Sequence, residues 1–252
     1  MTYSVLPVDD LPEFADGDDL SSMLVERLAR NGAGLEVGDI LVVTQKIVSK
    51  AEGRMVDLVD ITPSDKALEL ADQVGKDPAL VELVLRESIA IVRQAPNILI
   101  TRHKSGHVMA NAGIDASNIG QDHVGHVLLL PEDPDTSAAL IADACEAAFG
   151  IRPGVVISDS FGRPWRVGTV NVAIGIAGIP AVLDQRGQPD RDGRTMQVTQ
   201  IAFADGIAAA AGLAMGEGAE GVPACLVRGL AWEGEAQSGR AILRPENEDL
   251  FR

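Results

Sequence analysis

Three carboxylates occupy positions at which acidic side chains commonly bind metal ions. Asp115 closes the short loop Asn111–Asp115, Asp159 follows an apolar stretch, and Glu217 lies in a glycine-rich loop. Oxygen donors at strand ends and in tight loops suit Mg²⁺ or Mn²⁺, which take few protein ligands and share phosphate oxygens. Asp at a strand end is also an ordinary turn-forming residue. The three acids therefore predict a divalent-metal site, with a purely structural turn as the alternative.

Basic side chains follow close behind two apolar stretches. Lys46 and Lys50 follow the apolar stretch that ends at Thr44. Arg163 and Arg166 flank Trp165 after the apolar stretch that precedes Asp159. Arginine offers a planar fork, and lysine a compact charge, to carboxylate or phosphate. Solvated surface pairs are the common alternative for such residues. The indole of Trp165 suits stacking on a flat ligand, and packing in an interior or an interface is its alternative.

The stretch Gly216–Gly221 matches the G-x-G-x-x-G pattern of dinucleotide-binding folds. A predicted helix precedes it and a predicted strand follows, which reverses the order that those folds use. The C-terminal end of a helix also carries the negative end of the helix dipole, which repels phosphate. Rossmann-type binding is therefore disfavoured, and the sequence contains no P-loop motif. A flexible ligand-binding loop and a plain surface turn both stay open.

Histidine and cysteine give no strong metal signal. His103 and His107 are four residues apart, and the other two histidines are three apart. Neither stretch has a helical pattern and no H-E-x-x-H motif occurs, so zinc is disfavoured. Cys145 and Cys225 lie among small and apolar residues, which predicts two buried thiols in a reducing cytosol.

Local patterns predict helices from 18 to near 32, from 77 to about 93, over 136–149 and over 199–215, and strands within 37–44 and over 97–101, 155–158 and 222–227. The stretch 179–193 is rich in Pro, Gly and Asp and is predicted to be a loop. Helices and strands alternate without a steady βαβ rhythm, so an α+β fold of mixed sheets and helices is expected, neither Rossmann nor P-loop. We expect one domain over 1–252, with two intertwined subdomains as an alternative.

The formal net charge of −16 argues against nucleic acid and anionic lipid as partners, because both require a basic surface. No apolar run reaches the roughly 20 residues that span a bilayer, and no secretory signal is present. A cytoplasmic protein with no membrane partner is expected. An acidic chain that binds a polyanion must use local basic residues, backbone N–H groups or bound cations.

Six stretches match one known family in the same order along the chain. They are Gly-Asp-Asp-Leu at 17–20, Val-Thr-Gln-Lys-Ile-Val-Ser-Lys-Ala-Glu-Gly-Arg at 43–54, Asn-Ala-Gly-Ile-Asp-Ala-Ser-Asn at 111–118, Leu-Leu-Pro-Glu-Asp-Pro-Asp at 129–135, Ile-Ser-Asp-Ser-Phe-Gly-Arg-Pro-Trp-Arg at 157–166 and Met-Gly-Glu-Gly-Ala-Glu-Gly-Val-Pro at 215–223. From about Leu6 to Leu230 the chain resembles the coenzyme F420:L-glutamate ligases, the γ-glutamyl ligases of deazaflavin maturation.

The resemblance implies a homodimer that uses GTP together with Mg²⁺ or Mn²⁺, with two divalent ions expected and a monovalent cation as a further candidate. It implies metal ligands at Asp115, Asp159, Ser160 and Glu217. It implies GTP contacts from Leu11, Pro12, Glu13, Phe14, Gln45, Lys46, Lys50, Asn118, Met215, Gly216, Gly218, Ala219, Glu220, Gly221 and Val222. Arg163, Trp165 and Arg166 are the candidate substrate-binding residues. Some relatives carry a further nitroreductase-like domain, which we do not expect here.

The function expected from this resemblance is amide-bond formation between L-glutamate and coenzyme F420-0, through an acyl phosphate made from GTP. Further γ-linked glutamates are an open extension, and no catalytic residue is assigned. Two alternatives belong to other classes: a non-catalytic module that binds deazaflavin or nucleotide, and a metal-dependent phosphohydrolase that uses the same carboxylates.

Overall fold

The computed structural model of the protein describes residues 2–30, 34–120 and 123–249. Within these ranges the helices are α1 (Leu20–Arg30), α2 (Gln45–Ala51), α3 (Asp65–Val74), α4 (Pro78–Glu87), α5 (Pro134–Phe149) and α6 (Phe203–Met215). The strands are β1 (Ser4–Pro7), β2 (Ile40–Thr44), β3 (Met55–Asp57), β4 (Ser88–Ala95), β5 (Ile98–His103), β6 (Val108–Ala110), β7 (His126–Leu128), β8 (Gly154–Gly162), β9 (Thr169–Ala177), β10 (Val182–Asp184), β11 (Gln200–Ala202) and β12 (Ala224–Arg228). The expected α+β class is confirmed.

A five-stranded mixed sheet in the order β1-β12-β2-β8-β9 forms the centre of the fold. β2 and β8 run parallel, and the other neighbours are antiparallel. Residues 40–43 are buried, as expected for a strand covered on both faces. Leu41 and Val43 pack in the cluster that contains α1 and α5, while Ile40 and Val42 pack in the cluster that contains α6. The sheet is therefore sandwiched between helices.

A second region contains the antiparallel sheet β4-β5-β6 and the β3–β7 pair. The helices α3 and α4 pack on each other, and their apolar faces share a core with Leu99 of β5 and with Val127 and Leu129. The expectation of one domain, with two intertwined subdomains as the alternative, stays a prediction.

The helix predicted from 77 to about 93 is too long. α4 begins after the N-cap Asp77, as expected, but it ends at Glu87, and Ser88–Ala95 forms β4. The residues beyond Glu87 include the branched Ile89, Ile91 and Val92, and the segment pairs with β5 in an antiparallel ladder that has register shifts at Ile89 and Val92. Branched side chains favour strands, and the pairing with a neighbouring strand outweighs the helical spacing.

A similar correction applies at the helix predicted over 199–215. Residues 200–202 form β11 and pair with β10, which lies inside the predicted loop 179–193, so α6 begins only at Phe203. Two other helices are confirmed. α1 lies within its predicted range, although residue 32 is outside the described residues. α5 ends at Phe149, and the following Gly150 has a left-handed φ of +68°.

Both cysteines are free and buried, which confirms the prediction of two buried thiols. Burial raises the pKa of each thiol to about 11, so both stay protonated at neutral pH. Across the described ranges, no helix combines the length and the apolar character needed to cross a bilayer.

Candidate functional site

The site lies where the parallel strands β2 and β8 end side by side. Thr44 pairs in register with Ser158, so the residues that follow both strands emerge at the same edge of the sheet. After Thr44 the chain turns directly into α2, and the Thr44 hydroxyl accepts a hydrogen bond from the backbone N–H of Lys46. β8 instead continues outward through Asp159 and Ser160.

A cavity of about 540 Å³ opens at this edge, a volume typical of sites for small molecules. Most of the predicted site residues line it: Leu11, Pro12, Glu13, Phe14, Gln45, Lys46, Lys50, Asn118, Asp159, Ser160, Met215, Gly216, Glu217, Gly218, Ala219, Gly221 and Val222. Other residues of the lining were missed by sequence reasoning: Thr44, Ile47, Ala116, Ile119, Gly120, Ser158, Asn171 and Pro223.

Two of the predicted metal-binding acids, Asp159 and Glu217, line this cavity, whereas Asp115 lies outside the lining, next to the lining residue Ala116. Burial is the largest cause that raises the pKa of Asp159 to about 7, and the charges of Asp115 and Glu217 raise it further. The Ser160 backbone N–H and the charge of Lys46 act in the opposite direction. Because the charges of both Asp115 and Glu217 act on Asp159, three segments that are distant in sequence lie close together here.

Two of the acids already have protein partners. Asp115 accepts bonds from Nζ of Lys46 at 2.7 Å and from the Ser117 hydroxyl at 2.7 Å. Burial raises the pKa of Asp115, but these bonds outweigh it, and its net pKa is lowered. Oε1 of Glu217 accepts a bond from Nδ2 of Asn171 at 2.7 Å. Within the described part of the chain, no three His, Cys, Asp or Glu side chains form a ready metal-ligand group.

The donor set nonetheless fits a hard divalent cation. Asp115, Asp159, Ser160 and Glu217 offer only carboxylate and hydroxyl oxygens, the ligands that Mg²⁺ and Mn²⁺ prefer. The raised pKa of Asp159 means that negative charge at this position is incompletely offset by the protein. A cation would supply the missing positive charge.

Two buried polar atoms in the cavity lining have no hydrogen-bond partner in the structure. They are Nε2 of Gln45 and the hydroxyl of Ser158. Oε1 of the same Gln45 accepts a bond from the Ser49 hydroxyl at 2.8 Å, which fixes the orientation of its amide. Buried polar groups are nearly always bonded, so these atoms point to a polar ligand.

The basic residues of α2 have different surroundings. Lys50 is almost fully buried, and its Nζ lies 3.1 Å from Oε2 of Glu13. Lys46 is tied to the loop after Asp115, since its Nζ also donates to the carbonyl and hydroxyl oxygens of Ser117. Lys50 therefore brings charge into the cavity, while Lys46 mainly orders the loop that carries Asp115.

The glycine loop has the local order predicted from the sequence, with α6 before it and β12 after it. Glu220 does not line the cavity. Its Oε2 accepts a bond from the backbone N–H of Gly218 at 2.8 Å, and a Cβ at Gly216 would collide with its side chain. The Asn118 amide donates to the Gly218 carbonyl at 3.2 Å, which links the loop to the Asp115 segment.

Arg163, Trp165 and Arg166 also lie outside the cavity lining. They occupy the turn between β8 and β9, where Trp165 is 81% exposed and has a φ of +56°. Their role in substrate binding stays a prediction.

The histidine pair at 103 and 107 belongs to a second cavity, of about 340 Å³. Nδ1 of His103 and Nδ1 of His107 both hydrogen-bond the Ser105 hydroxyl, at 2.8 and 2.9 Å. Burial lowers the pKa of His107 to about 4, so its imidazole is neutral at physiological pH. Both rings share the Ser105 hydroxyl as a hydrogen-bond partner through their Nδ1 atoms.

The site lies where parallel strands of a mixed sheet end at an acid-rich cavity. Its glycine loop follows a helix and does not precede one, which distinguishes the site from Rossmann and P-loop sites. A family model described as F420-0:Gamma-glutamyl ligase matches residues 10–229. The chain belongs to the F420-0:gamma-glutamyl ligase family.

Curated relatives match over the full length. The chain is 42% identical to the coenzyme F420:L-glutamate ligase of Methanothermobacter thermautotrophicus, with all of both chains covered. It is 43% identical to the coenzyme F420:L-glutamate ligase of Methanopyrus kandleri, with 100% of this chain and 98% of the relative covered. It is also 43% identical to that of Archaeoglobus fulgidus, with 100% and 97% covered.

Proposed function

We propose that this protein is a GTP-dependent ligase that joins L-glutamate to the deazaflavin precursor coenzyme F420-0 through an amide bond. One observation supports this above the others: acids from three distant segments lie close together, and two of them line a cavity whose lining also includes a buried lysine. This arrangement suits a nucleoside triphosphate bound together with divalent cations. The cations would offset the repulsion between an acidic chain and an anionic substrate.

The proposed reaction has two steps. A carboxylate oxygen of the precursor attacks the γ-phosphorus of GTP, the bond to the β–γ bridging oxygen breaks, and GDP leaves. The amine nitrogen of glutamate then attacks the acyl carbon of the acyl phosphate, and inorganic phosphate leaves with the bonding electrons. The amine loses its protons to the medium, and no residue is assigned as a general base. Positioning and charge stabilisation carry most of such catalysis.

Particular side chains contribute to this scheme. Lys50 and the amide of Gln45 face the nucleotide from α2, and the glycine loop brings backbone N–H groups close to it. Held by Asp115, Asp159, Ser160 and Glu217, Mg²⁺ or Mn²⁺ would offset the charge that develops on the phosphates. We expect two divalent ions, with a monovalent cation as a further candidate.

Measurement of GDP release, with and without coenzyme F420-0 and L-glutamate, tests the proposal when the mass of the product is also determined. We expect GDP and a product heavier by one or more glutamyl units only when all three substrates are present. Phosphate release from GTP without glutamate would indicate the phosphohydrolase alternative. Tight binding with no GDP under any condition would indicate the non-catalytic module.

We also propose that the enzyme is a cytoplasmic homodimer. Support comes from β4, at the edge of its sheet, where Ile89, Ile91 and Val92 are exposed. Ile98 and Val108 on the neighbouring strands β5 and β6 are exposed as well. An exposed apolar sheet with an unprotected edge is a typical protein interface, and most symmetric oligomers are dimers. Two buried free thiols suit a reducing compartment.

A further inference from the structure

Asn171 forms the hydrogen bond that orients Glu217. It lies on β9, directly opposite Ser160 of β8 in the antiparallel register, and its side chain reaches the cavity. Its Nδ2 donates to Oε1 of Glu217 at 2.7 Å. Glu217 is an exposed residue in a loop after α6, so its side chain would otherwise sample several rotamers.

The packing of α6 provides the space for this amide. A Cβ at Gly212 would lie well inside contact distance of Nδ2 of Asn171, 2.8 Å from its Cγ and 3.0 Å from its Cβ. Glycine is unfavourable within a helix, because it loses more conformational freedom than alanine. At position 212 the absence of a side chain allows the amide of Asn171 to cross the helix and reach the loop beyond it.

We infer that Asn171 is a positioning residue that orients the Glu217 carboxylate toward the divalent-cation site, and that Gly212 makes the space for it. This inference rests on the proposed function, in which Glu217 is a metal ligand. Partners that orient a metal ligand typically contribute 10–100-fold to metal affinity or activity. A bond from a neutral amide restricts the carboxylate while leaving its second oxygen and its full charge available.

Two single variants and a matched control test the inference in the full-length enzyme. Asn171→Ala removes the donor, and Gly212→Ala displaces the amide without changing its chemistry. Gly206→Ala makes the same exchange on the same helix at an exposed position with no atom within 4 Å of the added Cβ. The measurements are Mn²⁺ affinity by electron paramagnetic resonance of the free ion, KM for GTP, kcat, and thermal unfolding.

We expect Asn171→Ala and Gly212→Ala to weaken Mn²⁺ binding by about 10–100-fold and to lower kcat, while Gly206→Ala matches the wild type. The double variant should bind Mn²⁺ no more weakly than Asn171→Ala alone, because the Asn171 side-chain atoms that would lie closest to the new Cβ at position 212 are then absent. The inference would be overturned if both single variants kept wild-type Mn²⁺ affinity, or if they changed only the unfolding temperature.

The same data separate this inference from the proposed function. If Mn²⁺ affinity depends on Asn171 but no amide product forms, the ligase assignment fails and the positioning role stands. If the wild type makes the product but Mn²⁺ affinity is the same in the wild type and in all the variants, the ligase assignment stands and the positioning role fails.

Discussion

Burial of Asp159 and the charges of two nearby acids both raise its pKa, to about 7. We expect Asp159→Asn to preserve the fold, since the side chains have nearly equal volume, and to reduce ligase turnover by about 100-fold or more through lost charge at the cation site. GDP release at saturating substrates measures the effect, and circular dichroism checks the fold. Turnover at the wild-type rate would contradict the assignment of Asp159.

Lys50 differs from most lysines in being almost fully buried, and it lines the cavity. We expect Lys50→Ala to raise KM for GTP by about tenfold, because a buried charge close to phosphate is lost, with a smaller change in KM for glutamate. Lys66→Ala, at an exposed position on α3, is the control. If KM for glutamate rose more than KM for GTP, Lys50 would belong to the site of the other substrate.

At the scale of elements, α5 and β9 approach each other unusually closely. A Cβ at Gly175 of β9 would collide with the backbone and Cβ of Pro134, at the first turn of α5. We expect Gly175→Ala to lower the free energy of unfolding by about 1–3 kcal/mol, the usual cost of overpacking. Urea denaturation measures this value. Gly162→Ala on β8, where the added Cβ meets open space, should change it little, and equal effects at both positions would refute the explanation.

At the scale of the whole molecule, Glu87 joins the helix α4 to the rest of the second region. Its carboxylate lies 3.0 Å from Arg54, 3.1 Å from Lys104 and 3.6 Å from Nε2 of His103. The contact with His103 is the largest cause that lowers its pKa, to about 2, against the opposing effect of burial. A lowered pKa in the folded state stabilises the fold above the unfolded-state pKa of about 4.5, and this contribution disappears as pH falls toward 2.

We therefore expect Glu87→Gln to lower the free energy of unfolding by about 2–3 kcal/mol at pH 7. The difference from the wild type should shrink between pH 4.5 and pH 2, because the wild-type carboxylate becomes protonated there. Urea denaturation at several pH values measures both effects. Glu132→Gln is the control, because Glu132 is exposed and lines the same second cavity as Glu87. A pH-independent difference would show that the charge of Glu87 is not the cause.

The proposed dimer interface is tested at the same scale. We expect the wild type to be a dimer by light scattering and Ile89→Asp to be a monomer, because an isolated charge opposes burial of the β4 sheet. Val59→Asp, at an apolar position that is 81% exposed outside this sheet, should leave the dimer intact. A wild-type monomer, or a dimer that tolerates aspartate at position 89, would rule out this interface.

Much of the local structure is determined by the sequence alone. The buried strand at 40–43, the helix α5 with its left-handed Gly150, and the helix–loop–strand order at Gly216–Gly221 follow from short-range patterns. Such features depend on hydrophobic period, capping and glycine conformation, which are encoded within a few residues. The ordered family motifs likewise identified most of the residues that line the main cavity.

The remaining features were decided by contacts between distant residues. Ser88–Ala95 becomes a strand because β5 pairs with it, although its spacing resembles a helix. Asn171 was missed because its role requires β9 to pair with β8 and α6 to leave space at Gly212. The three acids come together through long-range contacts: Lys46, which follows β2, bonds Asp115, and Asn171 of β9 bonds Glu217. The strand β8, which carries Asp159, lies between β2 and β9 in the sheet. Local propensity cannot specify such pairings, since their free energy exists only once the chain has folded.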